Sequence, residues 1–144
     1  MNGIYYNATI GAAASTALAG LVHLYLVANG LSHHYRFGNP SILFLVGGIA
    51  QLFWVIPMIK QWGKIWYSIG IAGTVAFIAI WAITRMPGNL INGGRGGDIA
   101  IDDIICEAAQ FAFIGFTAIV LVIENRRLTK KKSTTTTTKE MARE

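Results

Sequence analysis

Charge is scarce in this 144-residue chain. Asp, Glu, Lys and Arg make up 13% of it, against 53% hydrophobic residues. Mean hydropathy is +0.49. A soluble domain of this size carries roughly a quarter charged residues, so a water-facing surface cannot be assembled from this composition. Cysteine occurs once, at Cys106, which excludes an internal disulfide. Several motifs are missing too. There is no HExxH pair, no Ser–His–Asp pattern, no phosphate loop and no haem-attachment motif. The run Gly93-Gly94-Arg95-Gly96-Gly97 is not a dinucleotide fingerprint, because no strand precedes it.

What remains is a set of long apolar runs. A helix crossing a bilayer needs ~20 mostly apolar residues, since the hydrocarbon layer is ~30 Å thick and each residue rises ~1.5 Å. Four segments meet that test, at about residues 8–31, 41–59, 65–83 and 104–123. None shows the polar stripe of a surface helix in a soluble protein, so four buried core helices would have nothing to cover them. Without water, backbone groups must pair within each segment, and helices satisfy that condition. The first segment lacks a basic leader and is long for a signal peptide, so it reads as a retained helix. The expectation is an all-α, integral-membrane four-helix bundle over residues 1–125, followed by a basic, disordered cytoplasmic tail over 126–144.

The charges are lopsided. Lys60 and Lys64 lie between the second and third segments, and Arg126, Arg127, Lys130, Lys131, Lys132, Lys139 and Arg143 follow the fourth. The positive-inside rule places that side, with both termini, in the cytoplasm of a cell-membrane protein. Segments 32–40 and 84–102 then face the extracytoplasmic side. They bring Arg36, Arg85 and Arg95 together with Asp98, Asp102, Asp103 and Glu107. The third connection is long and glycine-rich, the signature of a functional or disordered loop. Asp102 and Asp103 sit where a helix begins and suit capping of free amides. Trp54, Trp62, Trp66 and Trp81 read as headgroup-level anchors. Pro57 is expected to kink or end the second helix. Asn7-Ala8-Thr9 fits a glycosylation pattern on a side where it would not be used.

Ionisable groups inside an apolar segment are costly, which makes His23 and Glu107 functional candidates. Asp103, Glu107 and Gln110 fall at i, i+4 and i+7 and share one helix face. His33 or His34 joins Asp103 and Glu107 if the first and fourth helices are neighbours. Imidazole with carboxylate suits copper, zinc or iron. The competing reading is a hydrogen-bonded or Arg85–carboxylate cluster that pins helices together. His23 reads as an interhelical hydrogen-bond donor. Cys106 reads as a small apolar filler. Gly47-Gly48, Gly70 and Gly73 allow close helix approach. Phe77, Phe111, Phe113 and Phe116 are expected on outward faces that pack against other subunits.

The stretches "GLVHLYLVANGLSHHYRFGNPSILFLVGGIAQLFW" (20–54) and "WAITRMPGNLINGGRGGDIAIDDIICEAAQ" (81–110) resemble a family of small four-helix membrane proteins of archaea and actinobacteria. The matching positions are His23, His34 (or His33), Gln51, Trp81, Thr84, Arg85, Gly88, Asp103 and Glu107. The chain also looks like the accessory-subunit family of archaeal ammonia monooxygenase, a copper membrane monooxygenase. That resemblance implies a hetero-oligomer in which the chemistry and any copper belong to catalytic subunits. This chain would shape their extracytoplasmic face, with Arg95, Asp98 and Asp102 on a docking loop. Two other readings stand beside it: a standalone metal-binding or sensing protein using His34, Asp103 and Glu107, and a small transporter using His23 and Glu107.

Overall fold

The computed structural model describes residues 3–32, 39–88 and 99–141. Four helices account for almost all of them: α1 (Gly3–Ser32), α2 (Asn39–Ile59), α3 (Lys64–Arg85) and α4 (Ile101–Met141). Each is long and apolar enough to cross a membrane. The architecture is all-helical, as the composition requires.

The boundaries differ from the sequence expectation in two places. α1 starts at Gly3 rather than near residue 8, because nothing in "IYYN" breaks a helix and Tyr5 is buried in the core. α4 does not stop near residue 123 to leave a disordered tail; it runs on to Met141. A helix already nucleated adds residues at little cost. Arg126, Arg127, Leu128 and the lysines that follow are good helix formers, and no Gly or Pro interrupts them.

The helices form a ring. α1 packs closely on α2 and α4, α3 leans on α4 and more lightly on α2, and the backbones of α1 and α3 do not meet. The closest crossing is α1 on α2, at two glycines. A β-carbon on Gly20 would lie 3.0 Å from the Gly48 carbonyl oxygen, and one on Gly48 would lie 3.1 Å from that of Gly20. Thr16 adds a tie there, its hydroxyl donating to the Gln51 carbonyl at 2.9 Å. Thr16, Gly20 and His23 fall at i, i+4 and i+7, so one face of α1 carries the whole contact.

Pro57 does not break α2, which continues to Ile59. The helix ends through paired bonds, Trp62 N–H to the Pro57 carbonyl at 3.1 Å and Gln61 N–H to Met58 at 3.3 Å. This is a Schellman closure, with Gln61 at φ 52° in the left-handed position where glycine is the usual choice. Beyond it, Phe53, Trp54, Trp62 and Trp66 form one aromatic cluster. The Trp62 and Trp66 rings stand 4.8 Å apart, and the Trp54 indole donates to the Trp66 carbonyl at 3.1 Å. These rings hold α2 to α3, a role beyond anchoring at a headgroup level.

Contacts sort the two ends of the bundle. At one end, the Arg127 guanidinium sits 4.7 Å over the Tyr5 ring, and Lys64 donates to the Asn125 side chain. The start of α1, the α2–α3 turn and the basic part of α4 therefore share that end. At the other end, Arg85 closes α3 against the start of α4.

Candidate functional site

The second end carries the chemistry. Just below it lies a cavity of about 130 Å³, lined by residues from all four helices. α1 contributes His23, α2 Phe44, α3 Phe77, Trp81 and Arg85, and α4 Asp103, Cys106, Glu107 and Gln110. The spacing along α4 explains its share, since residues 103, 106, 107 and 110 all fall on one helical face.

Asp103 has two partners. It accepts from the Arg85 guanidinium at 2.6 Å and from the Ala100 backbone N–H at 3.0 Å. It is thus both the helix cap and the carboxylate of an ion pair. Of the two partners open to Arg85 in the sequence, the structure gives it Asp103. The Arg85 guanidinium also lies 5.5 Å from the centre of the Trp81 ring, within cation–π range. Asp102, next along, is half-buried and in the first turn, where its charge favours the helix dipole.

His23 is buried and clamped. Its Nδ1 lies 3.0 Å from Gln51 Oε1, which makes Nδ1–H the donor and leaves a lone pair on Nε2. Phe44 and Phe77 flank the ring at 5.5 and 6.1 Å between centroids. The Cys106 sulfur sits 3.6 Å from Nε2 and 3.8 Å from Nδ1. A thiol in line with the Nε2 lone pair would be much farther from Nδ1, so Cys106 abuts the ring without a directed bond. Gln110 Nε2 reaches that same sulfur at 3.7 Å. Cys106 is therefore more than apolar filler: it stands between the imidazole and the α4 amide.

Four polar atoms around the cavity are buried yet have no hydrogen-bond partner. Two are acceptors, Glu107 Oε2 and Gln110 Oε1; two belong to N–H donors, Trp81 Nε1 and Arg85 Nε. Buried polar groups are normally paired, so four around one space mark it out. Charge is unbalanced as well. Among the described residues lining the cavity, one guanidinium faces two carboxylates.

Not every expected site residue is placed. His33, His34, Arg95 and Asp98 lie outside the described residues, so the metal set of His33 or His34 with Asp103 and Glu107 is represented only by its carboxylates. Among the described residues, no three His, Cys, Asp or Glu side chains are grouped to hold a metal ion. The aromatic expectations divide. Phe111 and Phe116 face outward, at 60% and 38% exposure, with Phe116 also lying over Gly11, while Phe113 is fully buried and Phe77 turns inward against His23. Trp81, read as an anchor, forms part of the cavity wall.

The chain thus presents a bundle of four helices, each apolar enough for a membrane, around a mostly apolar cavity at one end that a few charged and polar side chains enter. No family model, curated protein or solved structure matches it.

Proposed function

We propose that this chain is an accessory, non-catalytic subunit of a hetero-oligomeric membrane oxidoreductase. Its resemblance to an accessory-subunit family points to the copper-dependent ammonia monooxygenase of archaea, with copper held by the catalytic subunits. One observation carries the subunit reading. The outward face of α3 has Ser68, Ala72 and Ala76 at i, i+4 and i+8, all exposed, and a β-carbon on neighbouring Gly73 would meet nothing within 4 Å. A lipid-facing helix has no need of small residues, whereas a helix met by another at close range does, because dispersion and backbone approach drive association in lipid. α3 is also the least buried of the four spans.

The test is purification from the native membrane in mild detergent. The wild-type chain should co-migrate with monooxygenase catalytic subunits, identified by mass spectrometry. Ala72→Phe should release them while leaving the isolated chain's thermal unfolding unchanged. A monomer recovered alone from wild-type membranes sinks the reading.

We further propose that the basic end faces the cytoplasm and the cavity end lies beyond or near the opposite surface. Lys60, Lys64, Arg126 and Arg127 at a common end support this under the positive-inside rule. In intact cells, an impermeant maleimide should label Met86→Cys and leave Gln61→Cys untouched. The reverse pattern overturns the orientation.

A further inference from the structure

The unpartnered atoms of the cavity specify a ligand. Two are acceptors and two are donors, so one occupant must both give and receive hydrogen bonds. Water does this. Water leaves the charge unbalanced, however. Arg85 is taken by Asp103 at 2.6 Å, and this pair is neutral. Glu107 is left, 9% exposed, with Oε2 unpartnered. Among the described residues, the one guanidinium near this carboxylate is already paired with Asp103; a buried carboxylate so placed is costly, and one further positive charge removes the cost.

The other groups facing Glu107 narrow the choice. From α1 comes His23, whose Nδ1–H is given to Gln51; from α2, the uncharged Phe44; from α3, Arg85; from α4, Asp103 and the thiol of Cys106. A divalent cation fits poorly beside a guanidinium, where only one negative charge is uncompensated. Phe44, Phe77 and Trp81 line the rest of the space and bring no second negative charge, which suits a monovalent ion. A space of about 130 Å³ admits such an ion with a few waters and excludes a bulky organic one.

We propose that this cavity binds one sodium or potassium ion together with part of its water shell. Glu107 Oε2 and Gln110 Oε1 supply acceptors for the ion or its waters. Trp81 Nε1 and Arg85 Nε donate to the oxygens of that shell. The ion stabilises the α1–α3–α4 end of the bundle by neutralising Glu107 in place.

The experiment is thermal unfolding of the full chain in detergent, titrated with NaCl or KCl. Ionic strength is held constant with N-methylglucamine chloride, whose cation is too large for the cavity. Wild type should show a saturable upward shift of several degrees with one or both alkali ions. Glu107→Gln, which keeps the shape and removes the charge, should unfold at or above the ion-free wild-type temperature and lose the dependence. Modification of wild-type Glu107 by an apolar carbodiimide, read by intact mass, should slow with the same midpoint. That arm needs no variant to fold. Identical unfolding in all three salts overturns the proposal and leaves Glu107 neutralised by a proton. So does alkali-ion dependence that survives in Glu107→Gln, or carbodiimide modification indifferent to sodium and potassium.

Discussion

Arg85→Ala is expected to destabilise the bundle by about 2–3 kcal/mol, somewhat less than breaking a fully buried ion pair costs. Asp103 is buried and Arg85 half-buried: their side chains are 8% and 21% exposed, and the contact is 2.6 Å. The loss goes beyond one contact. Without Arg85, Asp103 and Glu107 line the same cavity with no guanidinium between them. Asp103→Asn should cost less, because asparagine keeps an acceptor for the Ala100 N–H and Arg85 still has Glu107 to face. Adding Glu107→Gln to Arg85→Ala should recover part of the loss, since it removes one of the two stranded charges. Unfolding in mixed detergent–SDS micelles measures all three variants against wild type. Arg85→Ala no worse than Asp103→Asn would mean that the guanidinium is not the group holding two carboxylates in place.

The contrast between Asp103 and Glu107 also separates what the sequence shows from what it hides. Both carboxylates stand out in it, because an acid in an apolar run is expensive and its position on the helix face is arithmetic. Which of them Arg85 would meet is not arithmetic. It depends on how α3 is rotated, and α3 is apolar nearly all round, so no stripe reports its inward side. Phe77 and Trp81 suffer from the same ambiguity: an aromatic residue in such a helix fits a lipid face and a cavity wall equally well. Cys106 was hidden for another reason, since a lone thiol counts as a small apolar group until an imidazole is seen 3.6 Å away. The four apolar runs, by contrast, are legible because each is long and apolar enough to cross a bilayer. The end of α4 is not, because charge marks where the apolar run stops and says nothing of where the helix stops.

The two-glycine crossing of α1 and α2 leads to the other large effect. Gly20→Val is expected to cost several kcal/mol and to loosen the cavity along with the crossing. A β-carbon at Gly20 meets Leu52 Cγ at 2.9 Å and the Gly48 carbonyl oxygen at 3.0 Å. Leu52 has rotamers to spare, but the carbonyl is backbone and moves only if the helices part. Overpacking of this kind costs about 1–3 kcal/mol even where side chains can yield. Here parting the helices also lengthens the 2.9 Å Thr16 bond and the 3.0 Å His23–Gln51 bond, which flank Gly20 on the same face. Gly73→Ala is the control. Its β-carbon meets nothing, so the isolated chain should gain up to about 1 kcal/mol from helix propensity. Unfolding curves of the two variants, side by side, read the difference. If Gly20→Val unfolds with wild type, α1 and α2 do not cross in contact at these glycines. The imidazole clamp would then lose the close approach that brings Gln51 to His23.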